Sequence, residues 1–110
     1  MVTRVYELDP IILEFPSPSL ASTQPNGLLA IGGDLSSDRL ALAYKSGIFP
    51  WFSPGEPILW WSPNPRAILE LDDFYVSKSL KKLLKRQIFK VTINHDFESV
   101  IEHCAKVNRK

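Results

Sequence analysis

The pattern of apolar and polar positions changes part-way along this chain. In the first half, Leu28 to Ile31 is an unbroken apolar run, introduced by the turn dipeptide Asn26-Gly27 and closed by Gly32-Gly33. Short apolar runs bounded in this way predict a buried strand. A helix is predicted next. Ser36 or Ser37 can cap it, Asp38 complements the dipole in its first turn, Leu40, Ala43 and Tyr44 share a face, and Gly47 stands where a C-terminal left-handed residue belongs. Pro57 then precedes a second strand, Ile58 to Ser62, in which the consecutive Trp60 and Trp61 must point to opposite faces. One indole is expected in the core and the other at a cleft.

After Arg66 the chain is built from lysine, leucine and β-branched residues, and the pattern predicts strand, helix, strand, helix. Ala67 to Leu71 is the first strand. A helix capped by Ser77 follows, with Val76, Leu80, Leu83 and Leu84 as its apolar stripe. Phe89, Val91 and Ile93 alternate with Lys90, Thr92 and Asn94, which predicts the second strand. From Asp96, a candidate N-cap, the last helix sets Phe97, Val100, Ile101, Cys104 and Ala105 on one stripe and pairs Glu102 with Lys106 four positions on. Cys104 is expected to be a core thiol.

Composition sharpens the division. Every glycine, proline and tryptophan precedes Arg66, so the boundary falls between Ser62 and Arg66, giving residues 1–62 as an aromatic, proline-rich domain and 63–110 as a second domain. All three tryptophans lie between Trp51 and Trp61, in a run so interrupted by proline that it suits neither a helix nor a central strand. It reads as a rigid wall of rings, of the kind that meets a nucleobase or an apolar side chain. Core packing is the ordinary alternative for any one of these rings.

The 110 residues carry a formal charge of only +1, which excludes an argument from a whole-protein field. Local charge differs. Between Asp73 and Asp96 there are six cations and no acid. Lys78, Lys82, Lys85 and Arg86 recur at helical spacing as a second stripe beside the leucines. Solvation explains most lysine faces, but here the alternating acids are missing and Lys78 occupies the first turn, where the dipole disfavours a cation. A contact surface for a phosphate backbone accounts for both features.

Catalytic signals are sparse. His95 and His103 lie beside Asp96 and Glu102 without a nucleophile at helical spacing and read as surface residues, Asp72-Asp73 reads as a turn, and Gly32-Gly33-Asp34 is at most a weak anion site. The single Cys104 has no disulfide partner and no metal-ligand spacing around it, which favours a reducing, cytoplasmic setting; no secretory signal or membrane-spanning run is present in the sequence.

Three strings carry a resemblance. Pro25-Asn-Gly-Leu-Leu-Ala-Ile-Gly-Gly-Asp-Leu-Ser36, Ala43-Tyr-Lys-Ser-Gly-Ile-Phe-Pro-Trp-Phe52 and Pro57-Ile-Leu-Trp-Trp-Ser-Pro-Asn-Pro-Arg-Ala-Ile-Leu69, continued by Val76-Ser-Lys-Ser-Leu-Lys-Lys82, resemble the leucyl/phenylalanyl-tRNA–protein transferases in order and spacing. Asn64, where many relatives have aspartate, is a minor departure.

The resemblance implies an α+β chain: a small N-terminal α/β domain, then the start of an acetyltransferase-like (GNAT-like) α/β domain, truncated at Lys110. It implies a cytoplasmic aminoacyltransferase that moves leucine or phenylalanine from aminoacyl-tRNA to the N-terminal Arg or Lys of acceptor proteins, tagging them for degradation under the N-end rule. It implies no cofactor, no metal, no membrane partner, and a monomer in the complete form. Substrate binding would fall to Tyr44, Phe49, Trp51, Trp60, Trp61 and Ser62, and tRNA binding to Lys78, Lys82, Lys85 and Arg86. The catalytic groups would lie beyond Lys110, leaving the 110 residues inactive alone. The alternative readings are a non-catalytic RNA-binding module or inactive fragment, and a relative of acyl-CoA acetyltransferases.

Overall fold

The computed structural model describes residues 4–108. They form two compact units, Met1–Ile68 and Leu69–Lys110, and the combination of a sheet with helices makes the chain α+β.

The first unit is a four-stranded sheet with one helix. Its elements are β1 (Tyr6–Leu8), a 3₁₀ turn (Pro18–Leu20), β2 (Leu28–Gly32), α1 (Ser37–Lys45), β3 (Phe49–Pro50) and β4 (Leu59–Trp61). The strand order is β1-β2-β4-β3. β1 runs parallel to β2, with Tyr6 opposite Ala30, and β4 runs antiparallel to both β2 and β3, with Trp60 opposite Ala30 and Pro50. Pro50 thus sits on an edge strand, where a missing N–H is tolerated.

Both predicted strands of this half are present, and α1 begins as expected. Ser36 is its N-cap and accepts the Arg39 amide at 3.3 Å. Gly47, at φ +72°, follows the C-cap Ser46 and donates its amide to the Tyr44 carbonyl, a conformation that a residue with a Cβ adopts at a cost. Gly27 is constrained twice over: its φ is +93°, and a Cβ there would lie 2.5 Å from the Pro63 Cα.

The core consists of Leu8, Leu29, Ala30, Ala43, Ile48 and Trp60, with Tyr6, Phe15, Ala21, Leu40 and Ile58 packed against it. Trp60 has no exposed surface. Its indole N–H donates to the Gly32 carbonyl at 2.9 Å, and Phe15 meets its ring edge-on at a centroid separation of 4.9 Å.

One charge is buried with this core. Arg39 donates Nε to Asp34 Oδ1 at 2.5 Å and Nη2 to the carbonyls of Asp9 and Ile12, pinning the segment after β1 to α1. The Asp9 carboxylate in turn accepts the amides of Ile11 and Ile12. Asp34, read from sequence as part of a weak anion site, is therefore occupied by a cation from its own chain. The hydrogen bond from Arg39, helped by one from Ser36, holds the Asp34 carboxyl below its ordinary pKa.

The second unit holds a 3₁₀ turn (Leu71–Asp73), α2 (Lys78–Lys85) and α3 (Phe97–Lys106). Here the structure corrects two expectations. Neither 67–71 nor 89–94 forms a strand, although Phe89, Val91 and Ile93 keep their alternation. Alternation states which face a strand would bury, but a strand exists only with a neighbour to bond to, and among the described residues none pairs with either segment. Cys104 is likewise exposed rather than a core thiol. The apolar stripes of both helices are genuine, yet no described residue after Ser62 is buried. Among the described residues, no helix is long and apolar enough to cross a membrane.

Two outcomes follow from this packing. Trp60→Ala empties the centre of the sheet and should cost about 3–5 kcal/mol, whereas Trp51→Ala, at an exposed position, should change stability by less than about 0.5 kcal/mol; denaturant melts of the two variants read the difference. Because the folded-state pKa of Asp34 is depressed, its contribution is complete above the ordinary carboxylate range and is lost as pH falls through the folded value. Thermal midpoints should therefore drop on acidification below about pH 4, and Asp34→Asn should lower the neutral-pH midpoint while flattening that acid limb.

Candidate functional site

The aromatic run lines a cavity of about 530 Å³ in the first unit, bounded by Tyr44, Gly47, Ile48, Phe49, Pro50, Trp51 and Arg66. Tyr44 comes from the last turn of α1, Phe49 and Pro50 from β3, and Trp51 from the residue after it. The Tyr44 and Trp51 side chains are 66% and 76% exposed, so neither is a core residue.

Exposure does not mean that the wall is loose. The Trp51 amide donates to the Leu59 carbonyl at 3.0 Å, and the Trp51 carbonyl accepts the indole N–H of Trp61 at 2.8 Å. Both main-chain groups of Trp51 are thus held while its ring stands free. The turn beyond it is closed by Glu56, whose carboxylate accepts the Ser53 amide.

Among the residues expected to bind substrate, Tyr44, Phe49 and Trp51 share this cavity. Trp61 supports it through the bond to Trp51, as the opposite-face prediction for the two indoles requires. Trp60 does not join them. It lies wholly inside the core, where a ligand cannot touch it, because its ring must fill the space over Ala30 and beside Phe15. Ser62 is buried too; its hydroxyl donates to the Gly47 carbonyl at 3.1 Å and accepts from Arg66.

Arg66 is the residue that sequence reasoning used only as a boundary marker. Its Nη2 donates to the Gly47 carbonyl at 2.8 Å and to Ser62 Oγ at 3.0 Å, and its Nε donates to the Pro63 carbonyl at 3.3 Å. The one available signal was an arginine directly after a rigid proline-rich run, which restricts where its side chain can reach. A second hollow of this unit, about 310 Å³, is lined by Glu7, Asp9 and Glu14, an acidic lining unsuited to a polyanion.

In the second unit, Ser77 caps α2 by accepting the Leu80 amide at 3.2 Å, as predicted. Lys78, Lys82, Lys85 and Arg86 are all exposed, and among the described residues none is paired with an acid. The Glu102 and Lys106 side chains do pair on α3. His95 and His103 are exposed; His103 Nδ1 lies 2.7 Å from the Ser99 carbonyl, a contact within its own helix. Among the described residues no group of histidine, cysteine and acidic side chains is arranged to hold a metal ion.

Comparison with known proteins agrees with the motif resemblance. Residues 33–64 match the family model described as the leucyl/phenylalanyl-tRNA protein transferase N-terminal domain, and residues 68–110 match the model described as leucyl/phenylalanyl-tRNA protein transferase. The chain is 59% identical over 103 residues to a leucyl/phenylalanyl-tRNA–protein transferase of Pectobacterium atrosepticum, covering 94% of this chain and 44% of that protein. It is 61% identical over 102 residues to the protein of the same name from Pectobacterium carotovorum subsp. carotovorum, covering 93% and 44%. The corresponding protein of Pseudoalteromonas atlantica is 58% identical over 107 residues, covering 97% and 45%. The chain therefore spans a little under half the length of the curated relatives it matches. With both family models matched in order across most of its length, the chain belongs to the leucyl/phenylalanyl-tRNA–protein transferase family.

Proposed function

We propose that this chain is the tRNA-binding and aminoacyl-adenosine-binding part of an aminoacyltransferase that moves leucine or phenylalanine from aminoacyl-tRNA to the N-terminal arginine or lysine of a protein. The observation that carries this reading is the exposed, hydrogen-bonded aromatic wall of Tyr44 and Trp51. In the same reading, residues 1–62 are one domain and 63–110 the opening of an acetyltransferase-like domain, and the protein acts in the cytoplasm to mark acceptors for degradation.

The reaction is the aminolysis of an ester. A deprotonated α-amine attacks the carbonyl carbon that joins the amino acid to the terminal ribose, the new C–N bond forms, and the ribose oxygen leaves and takes up a proton. Such a step needs a proton acceptor, donors for the developing oxyanion and close alignment of the two reactants. The residues of this chain supply alignment. Flat rings on a fixed backbone can hold an adenine by stacking, worth ~1–3 kcal/mol per base, and the unpaired cations of α2 suit the sequence-independent grip on a phosphate backbone.

Neutralising Lys82 and Lys85 together should weaken tRNA binding and reduce its salt dependence by up to ~0.7–0.9 log units of slope for each phosphate that is no longer neutralised. Filter-binding titrations across a salt series measure this, and an unchanged slope would refute the basic-face assignment. For the chemistry, the protein expressed from its own gene is mixed with radiolabelled leucyl-tRNA and a peptide beginning with arginine. Label should pass to the peptide and fail to pass when the peptide is N-acetylated. Trp51→Ala should lower that transfer at least tenfold while melting normally. Binding of tRNA without any transfer would instead select the non-catalytic RNA-binding reading.

A further inference from the structure

The cavity behind Tyr44 and Trp51 has an uneven supply of hydrogen-bonding groups. Three donors face no partner among the described residues: the Tyr44 hydroxyl, the Trp51 indole N–H and Nη1 of Arg66. Acceptors are scarce. The Gly47 carbonyl on the cavity wall already accepts from both Ser62 Oγ and Arg66 Nη2, which uses its two lone pairs. No carboxylate lines the cavity, and among the described residues no acid pairs with Arg66.

A guanidinium held on neutral oxygens keeps its full charge, and its outer edge remains available to an anion. A ligand matched to this lining carries a flat ring for the tyrosine and tryptophan faces and a negative group for the arginine. The volume is that of an ordinary small-ligand site.

We propose that Arg66 completes a nucleotide site with Tyr44 and Trp51, its guanidinium taking the 5′-phosphate of the nucleotide whose base the two rings stack. The proposal rests on the reading of the aromatic wall as the seat of the terminal adenosine and adds the anion subsite to it. In that arrangement Arg66 both ties the end of α1 to the end of β4, through Gly47 and Ser62, and anchors the ligand. The wall and the anchor are thus held by one side chain.

The test is a titration of the full chain with adenosine and with adenosine 5′-monophosphate, followed through the Trp51 indole resonance. The monophosphate should bind about tenfold more tightly at low salt, and the preference should shrink as salt is raised while adenosine binding stays level. Arg66→Gln should erase the preference, bringing the monophosphate down to whatever affinity the variant retains for adenosine, so that the ratio of the two falls from about ten to about one. Equal binding of the two ligands by the unsubstituted protein would overturn the phosphate subsite and leave the stacking wall standing. A preference for the monophosphate that survives Arg66→Gln would overturn it as well, reducing Arg66 to a scaffold. If neither ligand perturbs Trp51, the aromatic reading and the subsite both fail. Should Arg66→Gln not fold, the salt series on the unsubstituted protein decides the question alone.

Discussion

Trp60 and Trp61 are consecutive on a three-residue strand, and the two-residue period of a strand sends their side chains to opposite faces. The structure of the first unit follows from that constraint. Trp60 takes the inner face, where it is the largest wholly buried side chain and ties β4 to β2 through Gly32. Trp61 is thereby left on the other face, within reach of the Trp51 carbonyl. A core residue thus sets the position of the exposed ring that the functional reading depends on, and it does so without touching it.

The remaining freedom of the wall is removed at Gly47. Its left-handed backbone ends α1 and turns the chain into Ile48 and β3, so that Tyr44 precedes the bend and Trp51 follows it. The carbonyl of the same residue collects Ser62 and Arg66 from the far end of β4. The end of the helix, the end of β4 and the residue after the proline run are joined at one oxygen. Elsewhere in the unit, Arg39 performs a similar service by gathering Asp34 and the carbonyls after β1. The two arginines differ in one respect that matters for chemistry. Arg39 is matched by a carboxylate and buried, whereas Arg66 is bound only to neutral oxygens at an open cavity.

Local signals made much of the first unit legible. An apolar run between glycine turns became β2, Ser36 and Gly47 bracketed α1, and the paired tryptophans divided as their parity requires. These features are written within a few residues of where they act. The two arginine junctions were not legible, because each joins groups that are distant along the chain: Arg39 to Asp9, and Arg66 to Gly47. Parity requires that one of the two adjacent indoles enter the core but does not say which, and the resemblance named both Trp60 and Trp61; the structure buries Trp60. In the second unit both helices were readable, although only Ser77 caps through its side chain and Asp96 does not, and the strands at 67–71 and 89–94 were not realised. A helix satisfies its backbone internally and so needs only its own sequence, while a strand needs a partner that its own sequence does not contain.

The same distinction between local and global properties applies to charge. A net charge of +1 says nothing of attraction to a polyanion, because the acids that balance the lysines lie elsewhere in the chain. What a phosphate backbone meets is the field within about one Debye length, ~8–10 Å at moderate salt. Over that range α2 presents Lys78, Lys82, Lys85 and Arg86 with no acid on the helix. The aromatic cavity offers the opposite kind of interaction: exposed rings that act only through contact, and one lining cation whose hydrogen bonds have fixed direction. Under the proposed function, long-range, weakly directional attraction suits a surface for many tRNA stems, and short-range geometry suits a seat for one recurring terminal nucleotide. The contrast between a lysine helix and a proline-stiffened wall is what the proposed pair of tasks would require.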